Sequence, residues 1–188
     1  MKPVILLDVD GCIGDFVGMI CPILNRRFAT HYTEADFTHW DLRETLAPAE
    51  SKYLNEALQQ EGIATAMQWY PGAKEFVEEL KTIGTVLALT APYQSSKTWP
   101  YERQQWLLRH FGLPMMSVPG EYKHMFDGDF LIEDKLITVN QWGDTRGTEA
   151  VLIDRPWNQD PRLPSRRPYY RFSTYDSIVS HIRIECDL

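Results

Sequence analysis

Val4-Ile5-Leu6-Leu7-Asp8-Val9-Asp10-Gly11 is the stretch that decides how this chain is read. Four consecutive aliphatic residues with no polar alternation describe a strand buried on both faces, the central-strand type of an α/β protein. In open sheets of that kind ligands bind beyond the carboxyl ends of the strands, which is where the acidic pair stands. Side chains two apart on a strand point the same way, so Asp8 and Asp10 can converge on one small volume, and Gly11 lets the backbone turn without a Cβ in its path. Two carboxylates that close repel unless a cation sits between them, and oxygen donors of this kind suit a hard divalent ion such as Mg²⁺.

Working outward, 188 residues with 44% hydrophobic and 24% charged side chains suffice for one soluble core with a small insertion, and no repeat or low-complexity tract divides them. The net charge of −7 speaks against a general nucleic-acid surface while leaving phosphate chemistry on small molecules open. No stretch approaches the roughly 20 apolar residues of a membrane span, and the first apolar run is too short for a signal-peptide core, so a cytoplasmic protein is expected. Cys12, Cys21 and Cys186 share no metal-site or disulfide-framework spacing, and the carboxylates beside Cys12 disfavour its thiolate, which argues against a nucleophilic role.

Residues 15–70 read as helices with aromatic punctuation and no strand, an insertion after the first strand. Phe16 to Ala29 carries helical spacing, Thr33-Glu34-Ala35-Asp36 resembles a capping box ahead of Phe37 and Trp40, and Pro48 to Glu61 is stopped by Gly62. From Pro71-Gly72 strands and helices alternate. Phe76, Val77 and Leu80 mark the inner face of a helix ending at Gly84, and the strand Thr85 to Leu89 delivers Thr90. A helix from Pro100 to Phe111 packs through Trp106, Leu107 and His110. Asp129 to Ile132 delivers Glu133-Asp134, and Ala150 to Ile153 delivers Asp154. The Pro- and Arg-rich stretch from Arg155 to Pro168 is expected to be a surface loop with solvated charges, before a final helix near Thr174 to Ile184. Such alternation predicts a doubly wound parallel sheet.

Three strand ends thus carry Asp8 and Asp10, then Thr90, then Glu133 and Asp134, with Lys123 leading into the third. These residue types suit phosphoryl transfer: an aspartate can take a phosphoryl group, a metal can clamp its oxygens, a hydroxyl and an ammonium can hold the others, and a second carboxyl can protonate the leaving oxygen.

Together Asp8-x-Asp10-Gly11, Thr90, Lys123 and Glu133-Asp134 resemble the four motifs of the haloacid dehalogenase superfamily, and the helical insertion resembles its C1-type cap. Within it the chain is similar to the 5′(3′)-deoxyribonucleotidase family. The resemblance rests on Leu6 to Phe16, on Leu89-Thr90-Ala91-Pro92 with Lys97, Trp99-Pro100-Tyr101-Glu102 and Trp106, and on Leu131-Ile132-Glu133-Asp134-Lys135. It implies a core of residues 1–14 and 71–188 with a cap of 15–70. It also implies a Mg²⁺-dependent phosphomonoesterase acting on deoxyribonucleoside 5′-monophosphates. Asp8 would be the nucleophile, Asp10 the acid and then base, and Thr90, Ala91 and Lys123 the phosphate holders. Asp8, Asp10 through its backbone carbonyl, and Asp134 would hold the metal, with Glu133 reaching it through water, and Phe16 and Trp40 would stack on the base. The expected partner is a small nucleotide, with no membrane and no stable nucleic-acid complex; a homodimer is left open. The chain departs from the family at Ala91, where a hydroxyl is common, at Glu133, where Asp is usual, and at Glu121, where an Arg can stand. An HAD-type phosphatase for another small metabolite or a nucleic-acid phosphate end is the rival enzyme, and a non-catalytic nucleotide-binding module the rival of another class.

Overall fold

A computed structural model describes residues 2–146, 149–159 and 169–188. Its sheet has six strands in the order β3-β2-β1-β4-β5-β6. They are β1 (Val4–Leu7), β2 (Thr85–Thr90), β3 (Met115–Ser117), β4 (Phe130–Glu133), β5 (Glu149–Ile153) and β6 (Tyr170–Phe172). Every neighbouring pair is parallel, so the expected doubly wound α/β fold is the observed one. The strands alternate between two apolar clusters, as a sheet covered on both sides must. Ile5, Leu7, Val86, Ile132 and Val151 face α3 (Ala73–Ile83), α4 (Trp99–Phe111) and α6 (Tyr175–Glu185) through Phe76, Leu80, Trp106 and Ile178. Leu6, Leu89, Leu131 and Leu152 face α5 (Leu136–Arg146) through Leu136, Val139 and Trp142.

β1 lies between β2 and β4 with Leu7 beside Ala88 and Ile132, so the chain leaves all three strands at one edge. That register, more than any single contact, gathers Asp8, Thr90 and Glu133-Asp134. It is also the place where strand order reverses direction from β1, the switch point of such sheets.

Between β1 and α3 the regular elements are helices and 3₁₀ turns, joined by loops, with no strand beyond isolated bridges at Asp10, Gly14 and Trp69. The elements are α1 (Phe16–Phe28), α2 (Pro48–Leu58) and single 3₁₀ turns at Glu34–Asp36, Leu42–Glu44 and Ile63–Thr65. Asp15 caps α1 by accepting from Gly18 N at 2.7 Å. The segment has its own apolar cluster of Val17, Ile20, Leu24, Phe37, Leu54 and Leu58, joined by Trp99 and Trp157 from outside it. Its two ends run side by side, with Asp15 N donating to Gln68 O at 2.9 Å and Tyr70 N to Ile13 O at 3.0 Å.

β3, β6 and α5 escape the sequence reading, and one expected element shrinks. Thr33 and Asp36 do bond as a cap, Thr33 N donating to Asp36 Oδ2 at 2.8 Å, yet only one 3₁₀ turn follows, because Phe37 leaves the helix to fill the cluster. No helix among the described residues is long and apolar enough to cross a membrane.

Candidate active site

The loop after β1 is built around one carbonyl. Cys12 N, Ile13 N and Gly14 N all point at Val9 O, at 3.2, 3.0 and 2.8 Å. Such a turn requires the left-handed φ of +79° at Gly11, and space requires glycine too: a Cβ there would lie 2.1 Å from Asp134 Oδ2. Asp8 itself is anchored by its backbone N to Ile132 O at 2.9 Å.

Lys123, on the 3₁₀ segment Gly120–Met125, is buried and reaches between two carboxylates, 2.7 Å from Asp8 Oδ1 and 2.9 Å from Glu133 Oε2. Burial works against its charge, but Asp8 and Glu133 outweigh that and raise its pKa. Among the described residues Lys123 is the cation at ion-pair distance from Asp8 and Glu133, while Lys135 and Arg103 act on the cluster from farther away. Burial, then the charge of Glu133, pushes Asp8 up to about 8. Burial, then the charge of Asp8, pushes Asp134 up to about 6. Glu133 is likewise raised by burial. A cluster with that surplus of negative charge holds protons or a cation, and titrates as a unit.

Glu133 spends both oxygens on the protein. Oε2 takes Lys123, and Oε1 accepts from the backbone N of Asp134 and of Lys135 at 3.2 and 3.3 Å. The extra methylene over an aspartate therefore lets it hold the lysine and the turn that presents Asp134.

Asp10 keeps part of its side chain open to the cleft, and Oδ1 is paired at 2.8 Å with Arg103 Nη2. Arg103 is fully buried, lies over the rings of Trp99 and Trp106 at 4.8 and 5.5 Å, and reaches Met67 Sδ at 3.2 Å. Burial raises the Asp10 carboxyl and Arg103 draws it back.

Thr90 ends β2 with its hydroxyl buried and, among the described residues, without a hydrogen-bond partner. Ala91 follows, half-buried. A cleft of about 1000 Å³ is lined by Asp8, Asp10, Thr90, Ala91, Lys123, Glu133 and Asp134, and also by Phe16 and Trp40 from the helical segment. All nine residues singled out in the sequence thus share one wall-to-wall space. Phe16 leans edge-on against Trp99, their centroids 6.3 Å apart. Trp40 is 54% exposed and carries the Lys135 ammonium 3.3 Å from its ring centre.

The donor set fits a hard divalent cation. Asp8 and Asp134 present carboxylate oxygens within 4.8 Å of each other and of Cys12 Sγ. Burial, with the charges of Asp134 and Asp8, drives the Cys12 thiol far above its ordinary range, so oxygen is the donor on offer.

Three functional neighbours were not found from sequence. Arg103 stands four residues after Trp99 and three before Trp106, a charge on the buried stripe of α4, and that position was the available signal. Trp157 donates from Nε1 to Asp134 Oδ2 at 2.7 Å, and Arg155 donates from Nε to Gly11 O at 2.6 Å. The expectation that charges from Arg155 onward are solvated is therefore wrong for Arg155, which packs over Tyr70 at 3.9 Å. Residues 160–168 of that expected loop lie outside the described residues.

Residues 2–167 match the family described as 5′ nucleotidase, deoxy (Pyrimidine), cytosolic type C protein. The chain belongs to that family. As a member of the cytosolic type C 5′-nucleotidase family it is an enzyme, a phosphatase of the 5′-nucleotidase kind. It is 26% identical over 177 residues to the mitochondrial 5′(3′)-deoxyribonucleotidase of Homo sapiens, covering 87% of this chain and 75% of that protein. Solved structures share the fold of this family member at lower identity. A haloacid dehalogenase-like hydrolase from Burkholderia xenovorans superposes with a TM-score of 0.64 at 16% identity, covering 98% of each chain. The HAD-hydrolase YfnB of Bacillus subtilis, bound to magnesium, gives 0.61 at 15% identity, covering 96% of this chain and 98% of its own.

Proposed function

We propose that this 5′-nucleotidase hydrolyses deoxyribonucleoside 5′-monophosphates with Mg²⁺ through a phosphoryl group carried on Asp8, and that residues 15–70 cap a core of residues 1–14 and 71–188. The observation that carries the reading is the convergence of Asp8, Asp10, Thr90, Lys123 and Asp134 on one cleft, with the Thr90 hydroxyl buried and unpartnered among the described residues. A hydroxyl left so is ready for a ligand oxygen, and Lys123, which lines the same cleft, supplies the charge a phosphate needs. The human relative named a deoxyribonucleotidase supports the substrate class, and the magnesium of YfnB supports the ion.

Asp8 and Asp134, with the backbone carbonyl of Asp10, would hold the ion. When bound it neutralises the carboxylates and polarises the phosphoryl oxygens. An Asp8 carboxylate oxygen bonds to phosphorus while the bond to the 5′ oxygen breaks, and the proton of Asp10 passes to that departing oxygen. Water then attacks phosphorus and gives its proton to the Asp10 carboxylate, and the O–P bond of the Asp8 acyl phosphate breaks to free inorganic phosphate and restore the Asp8 carboxylate. Thr90, Lys123 and the backbone at Ala91 hold the phosphoryl oxygens throughout. Phe16 and Trp40 border the space beyond the phosphate, where a ring stacked on a base is worth ~1–3 kcal/mol and favours nucleotides over simple phosphates.

The test is a panel of phosphomonoesters assayed with Mg²⁺ and with a chelator. Deoxyribonucleotides should lead the panel and the chelator should abolish turnover. Asp8→Asn should remove turnover and leave the thermal transition cooperative, since an amide is a poor nucleophile and a weak metal ligand. A phosphate burst from that variant would disprove the assignment of Asp8.

A further inference from the structure

Trp157 belongs to none of the elements that carry the chemistry. It stands on the 3₁₀ turn Pro156–Asn158 after β5, and it is 6% exposed. Its ring joins the apolar cluster of Val17, Ile20 and Leu24 from the helical segment, while its Nε1 donates to Asp134 Oδ2 at 2.7 Å. The same turn holds Asp134 a second time, because Asn158 Nδ2 donates at 2.8 Å to Asp134 O and at 2.8 Å to Ile153 O. A third hold falls on the neighbouring loop, where Arg155 donates from Nε to Gly11 O at 2.6 Å. Clearance is minimal, since a Cβ placed on Gly11 would meet Asp134 Oδ2 at 2.1 Å and Trp157 Cζ2 at 3.0 Å.

A buried carboxylate can rotate about its terminal bond, and each orientation presents a different oxygen to an incoming ion. A neutral N–H fixed on one oxygen removes that freedom before the ion arrives, without adding a charge that would compete with it. Groups that orient a metal ligand in this way typically contribute roughly 10- to 100-fold in metal affinity or activity.

We propose that Trp157 is a positioning residue for Asp134, and that its indole N–H, apart from the bulk of the ring, sets the divalent-cation affinity of the Asp8–Asp134 pair. This rests on the reading that a divalent cation binds there. The experiment is calorimetric titration of the substrate-free, full-length protein with Mg²⁺, for the wild type, Trp157→Phe and Trp157→His. Phenylalanine keeps most of the ring contact and removes the donor; histidine keeps a ring N–H. Trp157→Phe should weaken Mg²⁺ roughly 10- to 100-fold, with Trp157→His recovering part of the loss. In parallel, the indole N–H resonance of Trp157 in the wild type should move saturably with Mg²⁺ at the calorimetric affinity, a measurement that does not depend on any variant folding. Equal affinity in the wild type and Trp157→Phe, equal loss in both variants, or an indole resonance that ignores Mg²⁺ would each overturn the inference alone. A wild type with no saturable Mg²⁺ binding would instead remove the cation reading, and this inference with it.

Discussion

Arg103 brings a full positive charge to a place where none of the side chain meets solvent, which is tolerable only because Asp10 Oδ1 lies 2.8 Å away and two indole rings flank it. Its consequence is mechanistic. In the proposed mechanism Asp10 is the general acid, which must present its proton along one line, and the contact with Arg103 would fix the orientation of the carboxyl group that does so. For a nucleotide, whose leaving oxygen is strongly basic, Asp10→Asn is expected to lower kcat/KM by ~10²–10⁴-fold. With p-nitrophenyl phosphate, whose leaving group departs without a proton, the loss should be far smaller, since kcat/KM covers only the steps through loss of the alcohol. Arg103→Met should reproduce that split at smaller size; equal losses on both substrates would make Arg103 a packing residue only. Asp8, Asp10, Thr90 and Asp134 were legible in the sequence because each follows an unmistakable apolar strand or its turn. Arg103 and Trp157 were not, because their meaning lies in partners 93 and 23 residues away.

At the level of elements, the reading was good where one physical signal dominated and failed where signals competed. α3 and α4 show their inner faces and end on glycines; the end of α3 at Gly84 and both limits of α4 were read to within a residue of those observed. α5 was missed because Ile137-Thr138-Val139 is a β-branched run, Gly143 interrupts it, and Asn140 and Thr138 are buried among its apolar residues. β3 is only three residues long and holds Met115, Met116 and Ser117, none of them a strong strand former. The turn after β1 offers the cleanest test at this scale. Gly11→Ala places a Cβ on a left-handed residue, a cost of about 1–2 kcal/mol, and drives it into Asp134 Oδ2 at 2.1 Å. The melting temperature should therefore fall by about 2–8 °C, by the usual conversion for a chain of this size. Mg²⁺ binding should weaken together with it. A variant that melts lower yet binds Mg²⁺ as well as the wild type would mean that Asp134 has room to move, contrary to the packing seen here.

Over the whole molecule, the parallel doubly wound class followed from alternation of strands and helices, whereas the order β3-β2-β1-β4-β5-β6 did not, since periodicity says which face a residue takes and nothing about which strand lies beside it. That order concentrates charge. A chain of net charge −7 places Asp8, Glu133 and Asp134 in one buried cluster at the middle of its sheet, paired at short range with the ammonium of Lys123. Stability must then depend on pH in a direction opposite to that of an ordinary ion-paired carboxylate. Asp8 is raised from 3.8 to about 8, by burial and then by Glu133. Asp134 is raised from 3.8 to about 6, by burial and then by Asp8. Between those values the folded chain binds more protons than the unfolded one, so folding stability is greatest toward the acid side of the window and declines as pH rises from about 4 through 6 and on to 8. The metal-free protein in chelator should consequently melt at a lower temperature at pH 8 than at pH 5. Saturating Mg²⁺ should raise the melting temperature at both, and by more at pH 8, because the ion replaces protons that the cluster has already given up. Thermal scans at the two pH values, with chelator and with Mg²⁺, check this. A melting temperature in chelator that climbs from pH 5 to pH 8 would mean that Lys123 already balances the cluster, and the argument for a cation held between Asp8 and Asp134 would lose its electrostatic ground.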